Sequence, residues 1–387
     1  MKINAGRLID AVDGNVREGV AVEFGSTVDA IDDAPAASGA EQYTVMPGLV
    51  DAHVHLSLSK ERFVGWRNDL SHAYYAFQAW RNAASHLDRG VTTVRDVGSI
   101  ADVSLQLRAA IEDGVMEGPT IKAAGQWLNV TGGHGSVYGS DADGADGFRR
   151  AAREQIHHGA DLIKVMVTAG AIAEEGRDPD TTEVTEEELV AVVDVTEKNR
   201  MPLAAHAHSS SGIMLSLHTG ARSIEHGTWL PDEGIEFMVG KDVWLVPTLA
   251  VMKEAASDGN QKQAEIMERM LADKLPRLRK AIESGVRVAV GTDAGAPGTG
   301  HGLAAMEARL LVEQAGMSPL QAVLAATREA GELATFGERG TLQVGKPADI
   351  LIVRGNPVED ITALENVECV IKDGVVVRGA VPSELRA

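Results

Sequence analysis

Two histidines alternate in Asp51-Ala-His-Val-His55, at the end of an apolar run that starts at Pro47. Side chains two apart on a strand share a face, so His53 and His55 project together while Val54 points away. Two neutral imidazoles converging from one strand make half of a zinc site, although a bare His-x-His also arises by chance. Other residues at the ends of strand-like runs give the pair its meaning. Lys164 lies within Leu162-Ile-Lys-Val-Met-Val167, where an ammonium is costly unless it snorkels to a rim. Beside two dications its pKa would fall, and a neutral amine can add carbon dioxide to give an anionic carbamate able to bridge two metals. His206 sits in Pro202-Leu-Ala-Ala-His-Ala-His208 and is the preferred ligand of that segment; His208, on the same face, is either a substrate contact or a substitute ligand. His226 ends Ser223-Ile-Glu-His226. Asp293, in Val290-Gly-Thr-Asp-Ala-Gly295, offers a carboxylate that can ligate a metal and take a proton from its bound water, with a helix cap as the competing reading.

These residues need a scaffold that gathers strand ends. Eight strand candidates begin near Gly48, Val91, Thr120, Asp161, Pro202, Arg222, Val243 and Val286, each with room for a helix behind it. Several units share a form, a helix closing at Gly90, Gly159, Gly220 or Gly285 and a β-branched strand starting at once, which fits left-handed helix C-caps. The pattern predicts an α/β chain, a closed (β/α)8 barrel over residues 49–346, with its chemistry at the C-terminal strand ends. An open doubly wound sheet is disfavoured because no Gly-x-Gly-x-x-Gly turn follows the first strand. Residues 1–48 and 347–387 read as short strands with turns at Asp13-Gly14 and Asp373-Gly374, and are expected to form one small β-sandwich module from both termini.

The 387-residue chain has a formal charge of -20, which disfavours nucleic acid and anionic membrane surfaces as partners. Acidic runs such as Glu183-Val-Thr-Glu-Glu-Glu188 read as helix N-termini, with Thr185 as the cap, and need no ligand. Cys369 is the single cysteine, so neither an internal disulfide nor a cysteine zinc cluster can form. No run of about 18 apolar residues and no signal-like N-terminus is found, giving a cytoplasmic expectation. Self-association is left open.

At these residues the chain resembles the amidohydrolase superfamily, binuclear subtype, over nearly its whole length, from Pro47-Gly-Leu-Val-Asp-Ala-His-Val-His55 to Gly345-Lys-Pro-Ala-Asp-Ile-Leu-Ile-Val353. The resemblance implies two divalent metals, zinc by expectation. His53, His55 and Asp293 would bind one, His206 and His226 the other, with carboxylated Lys164 between them. Gly90-Val-Thr-Thr-Val-Arg-Asp96, Ile224-Glu-His-Gly227 and Thr131-Gly-Gly-His-Gly135 are similar to a group containing imidazolonepropionase-like proteins and metal-dependent dipeptidases. Imidazolonepropionase generally uses one metal and no bridging lysine, so Lys164 favours the dipeptidase branch. Members of that branch cleave the amide bond to a C-terminal residue such as proline, arginine or lysine, or act on N-acyl amino acids. They often carry tyrosine directly before the fifth-strand histidine, where this chain has Ala205.

The expectation is therefore hydrolysis of a small amide by a hydroxide bridging two metals. Asp293 moves the proton, and His134 touches the substrate carbonyl or carboxylate. His301, in Gly300-His-Gly302, is a further candidate contact. Phe63, Trp66, Tyr74, Tyr75 and Trp80 read as packing beneath a long loop rather than as a substrate box. Opening of a cyclic amide on the same metals is the second enzyme reading, and a barrel kept only for binding is the non-enzyme one.

Overall fold

The computed structural model describes residues 1–60, 70–172, 176–257 and 260–386; Phe63 and Trp66 lie outside them. The chain opens with β1 (Lys2–Ile9), β2 (Val16–Phe24), β3 (Val28–Asp33) and β4 (Tyr43–Pro47). It then alternates β5 (Leu49–Val54), α1 (His72–Asp88), β6 (Val91–Asp96), α2 (Val103–Glu112) and β7 (Thr120–Ala123). Two short strands, β8 (Leu128–Asn129) and β9 (Ser140–Asp141), precede α3 (Gly144–His157) and β10 (Ile163–Met166). The alternation continues through α4 (Glu186–Asn199), β11 (Leu203–Ala207), α5 (Ser210–Thr219), β12 (Ser223–His226), α6 (Asp232–Met238) and β13 (Trp244–Val246). Two helices in succession, α7 (Leu249–Ser257) and α8 (Gln261–Glu283), lead to β14 (Arg287–Val288) and α9 (Ala304–Glu313). A π turn at Ala325–Glu329 joins α10 (Pro319–Leu324) to α11 (Ala330–Thr335), and the chain ends in β15 (Ile350–Arg354), β16 (Val367–Lys372) and β17 (Val375–Gly379).

Each predicted strand start lies within two residues of an observed strand. Their buried, β-branched sequences suit a sheet covered on both faces, as in Val91-Thr-Thr-Val-Arg-Asp96, where every residue is buried. The strands pair in parallel, in the orders β5-β6-β7 and β14-β13-β12-β11-β10-β8-β9. Backbone bonds also join the segment after β14 to the end of β5, and the segment before β10 to β7. Asp293 N donates to His53 O and His55 N to Ala294 O, each at 2.8 Å, while Asp161 N donates to Ala123 O at 2.8 Å. The helices cap as the sequence dictates: Thr185 and Glu188 form a reciprocal capping box on α4, and Gly90, Gly159, Gly220 and Gly285 all have positive φ.

Both termini build one seven-stranded sheet, β17-β16-β15-β4-β1-β2-β3. The β16–β17 hairpin turns at Asp373-Gly374, both at positive φ, as a two-residue primed turn requires. The sheet curls back on itself where Val28 N donates to Lys346 O and Ala348 N to Ser26 O, each at 2.9 Å. Its inner face carries a separate apolar core that includes Ile3, Leu8, Val22, Phe24, Ile350 and Cys369. Among the described residues, no helix is long and apolar enough to cross a membrane.

Candidate functional site

Parallel pairing in register carries the strand ends to one place. Met166 pairs with His206 and Ala207 with His226, so β10, β11 and β12 deliver Lys164, His206 and His226 in adjacent layers. The ring centroids of His206 and His226 are 4.5 Å apart, and those of His53 and His226 5.1 Å apart. On the neighbouring strands Asp293 Oδ1 lies 3.3 Å from Nε2 of both His53 and His55. Donor atoms of His53, His226 and Asp293 lie within 4.8 Å of one another, as do those of His206, His208 and His226. The six residues predicted as ligands therefore converge, and His208 joins them.

Partners behind the rings decide which nitrogen faces inward. His53 Nδ1–H donates to Glu225 Oε2 at 2.7 Å and His55 Nδ1–H to the Gly98 carbonyl at 2.8 Å, so both Nε2 lone pairs point to the cluster. His206 turns the other way, its Nε2 side facing the Ala169 carbonyl at 3.4 Å, which leaves Nδ1 available. Nδ1 of His226 and of His208 lie 2.8 Å from the hydroxyls of Thr248 and Thr228. Backbone strain is concentrated here: His226, Thr248 and Asp293 have φ of 71°, 52° and 59°, and a β-branched residue in the left-handed region is a genuine outlier.

The electrostatics favour unprotonated donors. Burial pushes His206, His208 and His226 well below the ordinary histidine range. Burial also lowers Lys164 to about 8, against the pull of Glu225 and Asp293. For Glu225 burial works upward, but Arg95 and the bond from His53 outweigh it and hold the carboxyl at about 2. Asp293 is likewise raised by burial but held well below the carboxylate range by His53 and His55. His53 Nε2 and Lys164 Nζ are buried polar atoms without any hydrogen-bond partner. Unsatisfied buried nitrogens of this kind, beside one set of three imidazoles and one of two imidazoles with a carboxylate, are what a divalent metal centre needs.

A cavity lined by His53, His55, Lys164, His206, His226 and Asp293 opens over the cluster. His134 lines it, with its ring centroid 4.6 Å from that of His206. Its loop is fixed by Trp127 Nε1 donating to Gly135 O at 3.1 Å and by His134 N donating to Glu183 Oε2 at 2.8 Å. Glu183 thus departs from the expectation of solvated acid: its side chain is 3% exposed and ties the loop down, because a backbone N–H and Arg177 reward the turn inward. His301 also departs from expectation. It is held by the Leu58 carbonyl at 3.1 Å and by His86 at 3.2 Å, and is not among the described residues lining the cavity. Of the aromatic cluster, Tyr75 is buried in the core while Trp80 is 41% exposed, donating to Glu117 O; neither lines the cavity. Sequence reasoning gave no role to Arg95 and Glu225, although charged residues inside buried strands were visible in Thr92-Thr-Val-Arg-Asp96 and Ser223-Ile-Glu-His226. Arg95 is 2% exposed and binds Glu225 at 2.7 Å, Ser223 at 3.0 Å and the Ala52 carbonyl at 2.6 Å.

Comparison with known proteins follows the same lines. The model of the amidohydrolase family matches residues 44–377. An ochratoxinase of Aspergillus niger is 30% identical over 361 residues, covering 84% of this chain and 73% of that protein. An imidazolonepropionase of Deinococcus radiodurans is 25% identical over 349 residues, covering 82% and 79%. A solved Xaa-Pro dipeptidase with methionine bound in its active site superposes with a TM-score of 0.87 at 32% identity, covering 98% of this chain and 99% of that one.

Proposed function

The chain belongs to the amidohydrolase family, and from that premise we infer that it hydrolyses the amide bond of a dipeptide or an N-acyl amino acid. The observation that carries this reading is the convergence of His53, His55, Lys164, His206, His226 and Asp293, with His53 Nε2 and Lys164 Nζ left unpartnered in a buried pocket. Likeness to an ochratoxinase and to a Xaa-Pro dipeptidase supports a carbon–nitrogen bond as the target. The same reading takes the two parallel sheets as one closed (β/α)8 barrel with a terminal β-sandwich, supported by the backbone bonds that join β5 to the segment after β14 and β7 to the segment before β10.

His53, His55 and Asp293 would hold one divalent ion and His206 and His226 a second, with Lys164 carried as a carbamate between them and zinc as the metal. Such ions supply Lewis acidity toward the amide carbonyl and a nucleophilic water near neutral pH. The chain's own residues do the rest. Asp293 accepts the proton of the attacking water and delivers it to the departing amine. His134, held by Glu183 and Trp127 at the cavity wall, donates to the carbonyl oxygen as charge develops. Glu225 and Gly98 keep the His53 and His55 rings turned inward. Lys164 supports the amide-cleaving branch over a ring-opening one, since the imidazolonepropionase pattern lacks this lysine.

The test is a screen of dipeptides and N-acyl amino acids against protein loaded with zinc and bicarbonate. Cleavage is expected, and Asp293→Asn should lower kcat by roughly 10²- to 10⁴-fold. Failure to cleave any acyclic amide, together with opening of a cyclic one, would overturn the reading.

A further inference from the structure

One buried cation of the cavity has no part in the proposed machinery. Helix α8 turns a single face to the cavity, Gln263, Met267, Met270 and Lys274, at spacings of four, three and four residues. Packed against it, α7 contributes Val251, Met252 and Ala255. Apart from Gln263, whose amide donates to the Ala171 carbonyl at 2.7 Å, the wall made by these two helices is apolar and methionine-rich until it reaches Lys274, which is 1% exposed.

Apolar packing does not explain an ammonium at this position. A methionine at 274 would continue the wall of Met267 and Met270, and an isolated buried ammonium is costly. Its hydrogen bonds are few: Nζ donates to the Pro247 carbonyl, and its other contact is Met252 Sδ at 3.6 Å, a weak acceptor. An ammonium has three donors, so capacity remains. The buried carboxylate nearest in charge, Glu307, does not take it up. Its oxygens accept from Leu249 N at 2.9 Å and Ala250 N at 2.6 Å, at the start of α7. Its acceptor, the Pro247 carbonyl, directly precedes Thr248, whose hydroxyl lies 2.8 Å from His226 Nδ1, and this places Lys274 on the metal-cluster side of the cavity.

We propose that Lys274 is the specificity-determining residue of the site, binding the free carboxylate of the substrate's C-terminal amino acid while Met252, Met267 and Met270 cover its apolar side chain. This rests on the amide-hydrolase reading and adds the substrate class: N-acyl amino acids or dipeptides ending in a large apolar residue with an ionised carboxylate. In such a molecule the carboxylate is one carbon away from the scissile nitrogen, so its anchor must stand close to the ligand cluster. Ala205 lacks any polar group to serve as an alternative anchor on β11.

The experiment compares an acid with its carboxamide, using zinc-loaded wild type, Lys274→Met, and Lys274→Met/Glu307→Gln, in which no unbalanced carboxylate is left buried. Thermal melts check that each variant is folded. Hydrolysis of N-acetyl-L-leucine and N-acetyl-L-leucinamide is measured beside calorimetric binding of L-leucine and L-leucinamide. Wild type should prefer the acid of each pair. Both variants should lose roughly 10- to 100-fold on the acid, the scale of a charged hydrogen bond, with the amide changed by no more than about threefold. Equal loss on acid and amide, or an acid preference that survives in the folded double variant, would overturn the proposal. The two readings fail separately. Cleavage without a Lys274-dependent acid preference sinks this assignment alone, whereas Lys274-dependent leucine binding without any cleavage upholds it and sinks the hydrolase reading.

Discussion

A carboxylate can only accept a hydrogen bond, so Glu225 keeps the proton of His53 on Nδ1 and turns the Nε2 lone pair toward Asp293. Replacement of Glu225 by glutamine allows the side chain to donate instead, which permits the wrong tautomer. Glu225→Gln should weaken zinc binding roughly 10- to 100-fold in a chelator competition. It should also lower the melting temperature, because Arg95 loses its buried counter-charge. Unchanged zinc affinity would mean that Glu225 does not orient His53. At this scale the sequence was readable for groups that face the cavity, since histidines and a lysine at strand ends are unusual residue types in unusual places. It was less readable for the groups behind them. Glu225 and Arg95 look like polar residues of a strand until their partners, contributed by β5, β6 and β12, come together in space. His301 failed for the opposite reason: glycines on both sides suggested an approach to ligand, but Leu58 and His86 claim its ring.

Elements set the distances between these groups. Period-two alternation at the end of the first strand and the βα order of the rest were implied by sequence; the observed parallel register of β10, β11 and β12 then aligns Lys164, His206 and His226. What local pattern did not reveal is the break between β7 and β8, where the chain leaves one sheet order and rejoins at Leu128 beside Val165. That break launches the loop bearing His134. The loop is packed against the segment after β10: a Cβ built on Gly170 would stand 2.1 Å from Cε1 of His134. Gly170→Ala should therefore displace the imidazole. With His134 acting on the carbonyl, kcat/KM on an amide should fall at least about tenfold with the melting temperature nearly unchanged. Gly300→Ala, where nothing lies within 4 Å of the new Cβ, is the control. Equal activity of the two variants would remove His134 from the chemistry.

Across the whole molecule, the terminal sheet has its own core and encloses Cys369, which is fully buried. Burial pushes this thiol up to about 11 from 9.0. The folded chain should resist a thiol reagent at pH 8 and react once denaturant opens the sheet, and immediate reaction in native buffer would contradict the packing described. Because the folded state keeps this proton longer than the unfolded state, Cys369 makes stability decline as pH rises from about 9 through about 11. The strand-like runs and turns of the two ends were legible in the sequence, and strands from both do share one sheet; how that sheet curls was not legible, since it depends on contacts between residues 26–28 and 345–348, far apart in the chain. All of this architecture serves one claim, that five strands assemble a two-metal centre bridged through Lys164. Metal content per chain, measured on protein produced with zinc and bicarbonate, tests it most directly. The account predicts about two ions in wild type and a clear loss in Lys164→Ala; a value near one that does not change in Lys164→Ala would contradict it.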